Sequence, residues 1–342
     1  RVLGGGPGDP LPESESAEEA TNATNAGPDL SDVRGQHHAV RALIVAAAGA
    51  HNSLLSGPPG TGKTMLAQRM PSILPNLSRP EAIEVTRIHS IAGGLEGELA
   101  QSRPFRAPHH SITTAGLVGG ARKGWVGEVV LAHRGVLFLD ELSEFAKPAL
   151  EALRQPLEDG RVAIVRARYS TVYPARFMLV AATNPCSCGY AGDGDRCRCS
   201  EADLARHRRR LSGPLLDRID LQVQLENESL SAAPWTSSEQ AREHVSRARE
   251  RQARRLHEEG VSVNAEMDTG MLKRHARLDE KSEEMLRAAQ ARGTLSARGQ
   301  HRMLRVARTI ADLNGSERIR TRDVGMALSM RPETSLGSSR AA

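Results

Sequence analysis

Gly57-Pro58-Pro59-Gly60-Thr61-Gly62-Lys63-Thr64 decides the reading of this chain. The stretch fits G-x-x-x-x-G-K-[ST] and follows Asn52-Ser53-Leu54-Leu55-Ser56, an apolar run that reads as a strand. Residues 65–70 after it open a helix. Glycines let successive backbone N–H groups turn towards a polyphosphate, and the helix N-terminus adds partial positive charge. In that cradle Lys63 reaches the β/γ-phosphates and the Thr64 hydroxyl ligates Mg²⁺. The alternative is a chance glycine-rich turn, and the flanking strand and helix argue against it.

Two more apolar runs end in polar residues. Residues 135–139 run Gly-Val-Leu-Phe-Leu and stop at Asp140-Glu141. A buried strand of this kind delivers carboxylates at its C-terminal edge, where α/β sheets bind ligands. Asp140 is placed to hold Mg²⁺ through water and Glu141 to polarise an attacking water. Residues 177–183 end at Asn184-Pro185, whose amide is placed to orient that water or the γ-phosphate. Alone, Asn184 before a proline reads as a turn residue.

Composition bounds the rest. The chain has 342 residues with 39% hydrophobic and 25% charged, ordinary for a globular protein of about two domains. Aromatics are 3%, which disfavours binding by rows of stacked rings. The net charge is +5, yet residues 1–30 carry six acids and one base, so the remainder is strongly basic. A basic body favours a polyanionic partner, although a solvated surface is the commoner meaning. No apolar run approaches the ~18–20 residues of a membrane span, and the longest, residues 39–50, contains Arg41. The start has no signal-peptide pattern and no initiator Met, implying that the chain begins inside a longer protein. A cytoplasmic location follows from the absence of a disulfide framework.

Four regions emerge. Residues 1–29, rich in Gly, Pro, Ser and Glu, read as an acidic disordered linker. Residues 30–228 alternate strands and helices, a mainly parallel α/β domain. Its first helix spans about 36–49, with Ser31-Asp32 as N-caps, and its strands cover 52–56, 135–139, 161–166, 177–183 and 221–225. Residues 229–332 are all helical, with helices at 239–259, 270–277, 280–292, 296–314 and 321–330. Residues 333–342 form a disordered tail.

All four cysteines fall in a loop at residues 186–199. Cys186-Ser187-Cys188 and Cys197-Arg198-Cys199 are two C-x-C pairs, tighter than the usual knuckle spacing. Four thiolates on a short loop suit Zn²⁺, and free buried thiols are the alternative. Downstream, Arg206-His207-Arg208-Arg209-Arg210 is either a phosphate-backbone contact or a solvated face. Adjacent His109 and His110 are expected to point apart, which disfavours a metal site.

These segments in this order resemble an AAA+ ATPase, and more narrowly the magnesium-chelatase-like ComM/YifB family of bacteria. The resemblance is carried by Asp32-Val33-Arg34-Gly35-Gln36, Pro104-Phe105-Arg106-Ala107-Pro108-His109-His110-Ser111 and Leu153-Arg154-Gln155-Pro156-Leu157-Glu158-Asp159-Gly160. Ser212-Gly213-Pro214-Leu215-Leu216-Asp217-Arg218-Ile219-Asp220 adds to it. It covers residues 30–332. The family usually carries a Lon-protease-like domain ahead of the ATPase, where this sequence shows its acidic linker, and the loop at 123–127 departs from the family pattern.

The resemblance implies an AAA+ P-loop NTPase with a helix-2 insert at 88–134, a pre-sensor-1 hairpin at 161–176 carrying Arg166 and Arg168 near its tip, and a helical lid. It implies ATP and Mg²⁺ as cofactors and a homo-hexameric ring. Arg218 matches the arginine finger and Arg298 the lid arginine called sensor 2, with Arg302 as second choice. The implied activity is a DNA motor on single-stranded or branched DNA, a helicase of natural transformation. The alternatives are a magnesium-chelatase-type or chaperone-like ATPase that remodels a protein partner. The cysteine pairs favour the ComM/YifB branch.

Overall fold

The computed structural model describes residues 27–94, 98–120, 126–166, 169–192, 195–211, 213–226, 233–291 and 297–331. Among the described residues there are seven strands: β1 Ser53–Ser56, β2 Phe105–Arg106, β3 Val136–Leu139, β4 Arg161–Arg166, β5 Tyr169–Pro174, β6 Met178–Thr183 and β7 Leu221–Gln224. Five form a sheet in the order β2-β3-β6-β1-β7, and every pairing in it is parallel. Parallel pairing puts every strand's C-terminal end on one edge.

β1, β3 and β6 are buried along their full length, so both faces of the sheet must be covered. Their alternation shows how. Leu55, Val136, Phe138, Val180 and Ala182 join one apolar core, while Leu54, Leu137, Leu139, Leu179 and Ala181 join another on the opposite face. The first core also takes Leu43 and Val45 from the helix His37–Gly49.

The C-terminal helices Ser238–Leu256 and Ala297–Leu313 pack on that same helix, and Thr321–Ser329 packs on Ala297–Leu313. Ala241, Val245, Ala248, Ile310 and Val324 lie in one buried cluster with strand residues Val180 and Val223. The helical region therefore shares its core with the α/β part. A buried polar chain adds direction. His51 bridges Asp220 and Thr309 at 3.2 and 2.8 Å, and Asn264 donates to Thr309 and Asp312.

Several boundaries differ from the sequence reading. Asp29 is no linker residue: its carboxylate accepts from Ser31 N and Ser238 N, and its carbonyl accepts from Arg69. Ser31 and Asp32 lie inside a short 3₁₀ turn, Leu30–Asp32, which Asp29 caps. The following helix starts instead after Gln36, in a left-handed conformation (φ 52°) with no side-chain cap. β2 was not anticipated. It extends the main sheet from within residues 88–134, and Ile88 belongs to the helix Arg79–Ile91. Residues 88–134 are thus no single insert, and Leu117, Val129 and Val130 within them join the core on the second face of the sheet. β4 and β5 pair antiparallel from Arg161↔Pro174 to Arg166↔Tyr169, as the hairpin expectation has it. Arg168 lies outside the described residues, as do the 333–342 tail and most of the 1–29 segment.

Candidate active site

The phosphate loop leaves the C-terminal end of β1 and enters the helix Lys63–Gln68. Gly62 holds φ +85° as the N-cap, and a Cβ on Gly57 would come 2.6 Å from the Leu225 carbonyl. Only glycine serves both positions. Lys63 Nζ donates to the carbonyls of Gly57 and Pro58 at 2.6 and 2.7 Å. Burial lowers its ammonium from the ordinary value, and the Asp140 carboxylate opposes that. Thr61 Oγ1 donates to the Pro58 carbonyl at 2.9 Å, which locks the loop's turn.

β3 and β6 are neighbours, with Leu139 beside Ala181, and β6 lies beside β1, with Ser56 beside Thr183. The sheet thus brings Asp140, Glu141 and Asn184 to the edge that holds the phosphate loop. The Thr64 hydroxyl donates to Asp140 Oδ2 at 2.6 Å, so two hard oxygen donors of the kind Mg²⁺ prefers stand together. Glu141 is in the left-handed region at φ 51°, a strained conformation for a residue with a Cβ. Its carboxylate meets His110 Nδ1 at 3.3 Å.

His110 thus makes a polar contact, the kind of role its place on a loop favours over metal binding. Its ring and that of His109 are 4.0 Å apart, so they do not point apart. The Asn184 carbonyl accepts from His207 Nε2 at 2.9 Å. His207 is buried, whereas Arg206, Arg208, Arg209 and Arg210 of the same helix, Glu201–Arg210, are exposed. The basic patch is therefore four arginines, with His207 turned inward.

Arg218 is elsewhere. Leu215 and Ile219 are fully buried and fix the turn that carries it. Its carbonyl accepts from Asn52 Nδ2 at 3.0 Å, and Asn52 Oδ1 accepts from Leu179 N at 2.8 Å. Asn52 stands just before β1 and Gly57 just after it, so the two ends are about 16 Å apart at the rise of an extended strand. Arg218 thus sits at the opposite edge of the sheet from its own phosphate loop, paired with Glu158. It lines a cavity of about 570 Å³ with Asp217, Arg298 and Arg302, and no residue from Gly57 to Thr64 lines that cavity. Burial, then the charges of Arg298, Arg154 and Arg302, hold the Arg218 guanidinium below its ordinary range. Its Nε is buried without a partner among the described residues.

The two lid arginines differ. The Arg302 side chain is 7% exposed, and it donates to the Asp217 carbonyl and carboxylate. The Arg298 side chain is 79% exposed, 3.9 Å from Asp217. Arg302 thus braces the turn bearing Arg218, while Arg298 faces solvent beside it.

The four cysteine sulfurs lie within 4.8 Å of one another. Cys186 Sγ is 3.3 Å from Cys188 Sγ, and Cys188 Sγ is 3.7 Å from Cys197 Sγ, well beyond a disulfide.

The parallel sheet, the phosphate loop and the acids at the end of β3 define a P-loop NTPase of the AAA+ type. The family described as magnesium chelatase, subunit ChlI, matches residues 29–233, and its C-terminal region matches 235–331. The chain belongs to this magnesium-chelatase-like AAA+ family, and that membership implies an ATPase using ATP and Mg²⁺. It is 45% identical to the competence protein ComM of Haemophilus influenzae, over 85% of this chain and 57% of that protein. It is 43% identical to YifB of Escherichia coli, over 89% and 60%. An uncharacterised protein of Mycobacterium tuberculosis is 49% identical over 91% of this chain. A magnesium-chelatase 67 kDa subunit of Chlorobaculum parvum is 28% identical over 46%. The chain spans about 60% of the length of the ComM, YifB and mycobacterial relatives. No helix among the described residues is long and apolar enough to cross a membrane.

Proposed function

We propose that the protein is an ATP-hydrolysing motor whose catalytic sites form between subunits of a homo-hexameric ring and that it acts on single-stranded or branched DNA. One observation carries the reading: Arg218 and the phosphate loop occupy opposite edges of one sheet. An arginine in that position reaches a γ-phosphate only on a neighbour, and such head-to-tail contacts close into rings.

Gly57 to Gly62 cradle the triphosphate, Lys63 neutralises its β/γ-oxygens, and Thr64 with Asp140 would hold Mg²⁺, which supplies charge neutralisation when bound. Glu141 takes a proton from the attacking water once free of His110, and Asn184 orients that water. The neighbour's Arg218, with Arg298 beside it, stabilises charge developing on the γ-phosphate. That contribution is worth about 10³–10⁵ in rate in related NTPases.

DNA as the partner rests on the four exposed arginines of Glu201–Arg210 and on the relative named as a competence protein. A cytoplasmic location and a helicase role in natural transformation belong to the same proposal. The four cysteines hold zinc in it: tetrahedral Zn–S bonds of 2.3 Å place sulfurs about 3.8 Å apart, close to the 3.3 and 3.7 Å found. ATPase rate measured without DNA, with single-stranded DNA and with branched DNA tests the partner. Stimulation supports the reading. An unchanged rate with both, together with stimulation by a protein partner, favours the chelatase-type alternative.

A further inference from the structure

The loop bearing the cysteines is also a neighbour of the nucleotide site, and this contact was not expected from the sequence. It begins directly after Asn184-Pro185 at the end of β6. Cys186 is buried, and its sulfur accepts from the Ala191 backbone N–H at 3.2 Å. Its carbonyl accepts from Gly189 N at 3.0 Å, closing a tight turn. Gly189 holds φ +90°, and a Cβ there would stand 2.7 Å from Pro59 Cδ and 2.8 Å from Pro59 Cγ. The turn therefore lies in van der Waals contact with the phosphate loop. Pro59 is in turn joined to Pro58, whose carbonyl receives both Lys63 Nζ and Thr61 Oγ1. At its far end the cysteine loop runs into Ser200, the N-cap of Glu201–Arg210, and His207 of that helix returns to the Asn184 carbonyl.

We propose that a thiophilic divalent cation of the zinc class, held by Cys186, Cys188, Cys197 and Cys199, positions the phosphate loop by pressing the Gly189 turn against Pro59. The inference rests on the zinc reading above and goes beyond it, since it makes the metal a determinant of nucleotide affinity. The physical reason is size. Among the described residues of 186–199 only Cys186 joins the buried apolar set, so these residues supply little core of their own to hold the turn in place. Four metal–thiolate bonds supply that rigidity. Without them the turn relaxes, Pro59 loses its wall, and the carbonyls that seat Lys63 lose their fixed geometry. Displacing a binding group by about 1 Å costs up to about 10²-fold where alignment matters.

The test uses the full chain, purified without added metal. Metal content is measured by mass spectrometry, and affinity by titration with a fluorescent ATP analogue. About one zinc per chain is expected for a four-thiolate site. Cys188→Ser with Cys199→Ser should lose the metal and weaken analogue binding about tenfold or more. Gly189→Ala addresses the contact itself: metal content should stay at wild type while affinity falls. Adding Pro59→Ala to Gly189→Ala should recover part of that fall, because the ring that clashes with the new methyl is gone. If the cysteine variant fails to fold, stripping the metal from the wild-type chain with a chelator and repeating the analogue titration takes its place, and the Gly189 pair tests the contact. A metal-free, folded protein overturns this inference together with the zinc reading. Metal bound, but affinity within about twofold of wild type in Gly189→Ala and after removal of the metal, leaves the zinc site standing and overturns the coupling.

Discussion

His110 Nδ1 stands 3.3 Å from Glu141 Oε2, so the carboxylate at the end of β3 is engaged by a histidine from the loop that follows β2. The histidine is braced by the edge of Phe145, 6.4 Å between ring centroids. Both partners are partly exposed, and pairs of that kind are worth about 0.2–1 kcal/mol. Releasing Glu141 should therefore change turnover by no more than about fivefold. His110→Ala is expected to raise basal ATP turnover within that range, since the carboxylate is freed to face water. A large fall in turnover with unchanged nucleotide binding would show that His110 serves the chemistry directly.

The roles of Lys63 and Glu141 separate binding from chemistry. Lys63→Ala removes the compact charge seated on the loop carbonyls and should abolish binding of a fluorescent ATP analogue. Glu141→Gln keeps shape and loses the base, so binding should persist while turnover falls about 10²-fold or more. Glu144 is a poor substitute base: it bonds Ser143 and pairs with Arg210. Near-wild-type turnover in Glu141→Gln would transfer the role to another acid.

Arg298 and Arg302 should respond in different currencies. Arg302→Ala removes a buried donor from the Asp217 carbonyl, leaving an acceptor to be resolvated, at a cost of about 1–3 kcal/mol. Its urea midpoint should drop. Arg298→Ala removes an exposed side chain and should leave that midpoint unchanged while slowing hydrolysis. Equal loss of stability in both variants contradicts the division between brace and reaching group.

Acid should destabilise the fold through His133. Its ring is buried, with Nδ1 accepting from Arg176 N and Nε2 facing Glu84. Burial, aided by Arg134 and Arg176, lowers its pKa from the ordinary 6.5, against the opposing pull of Glu84. Above pH 6.5 the ring is neutral in both states and costs nothing. As pH falls below that value the unfolded chain takes up a proton that the folded chain resists, so stability drops by at most about 1.4 kcal/mol per pH unit. The Glu84 carboxylate, also lowered, contributes only below 4.5 and so outside this window. Urea midpoints at about pH 7.5 and about pH 5.5 should diverge more for wild type than for His133→Gln. Identical divergence removes His133 as the cause.

The parts of the site legible in the sequence were those written locally. β1, β3 and β6 are apolar runs of four to six residues that stop at a glycine loop, at Asp140-Glu141 and at Asn184, so each motif announced its own strand. β2 was hidden because two residues between Pro104 and Ala107 are too short to show alternation. Contacts across long separations left no local trace. His110 reaches Glu141 and Arg218 reaches Glu158 only because the sheet places their loops together. The opposite placement of Arg218 and the phosphate loop required knowing which end of β1 each one adjoins. Likewise the exposure that distinguishes Arg298 from Arg302 depends on how the helix Ala297–Leu313 packs, and both arginines share its first two turns.

If hydrolysis needs one subunit's phosphate loop and another's Arg218, two variants that are each inactive should restore one another when mixed. Arg218→Ala alone should bind the ATP analogue and hydrolyse ATP poorly, and Lys63→Ala alone should do neither. In an equal mixture roughly a quarter of head-to-tail interfaces pair an intact phosphate loop with an intact Arg218. ATP turnover measured on the mixture should therefore rise well above that of either variant. Full activity of Arg218→Ala by itself, or no recovery in rings demonstrated to contain both variants, would contradict a site shared between subunits.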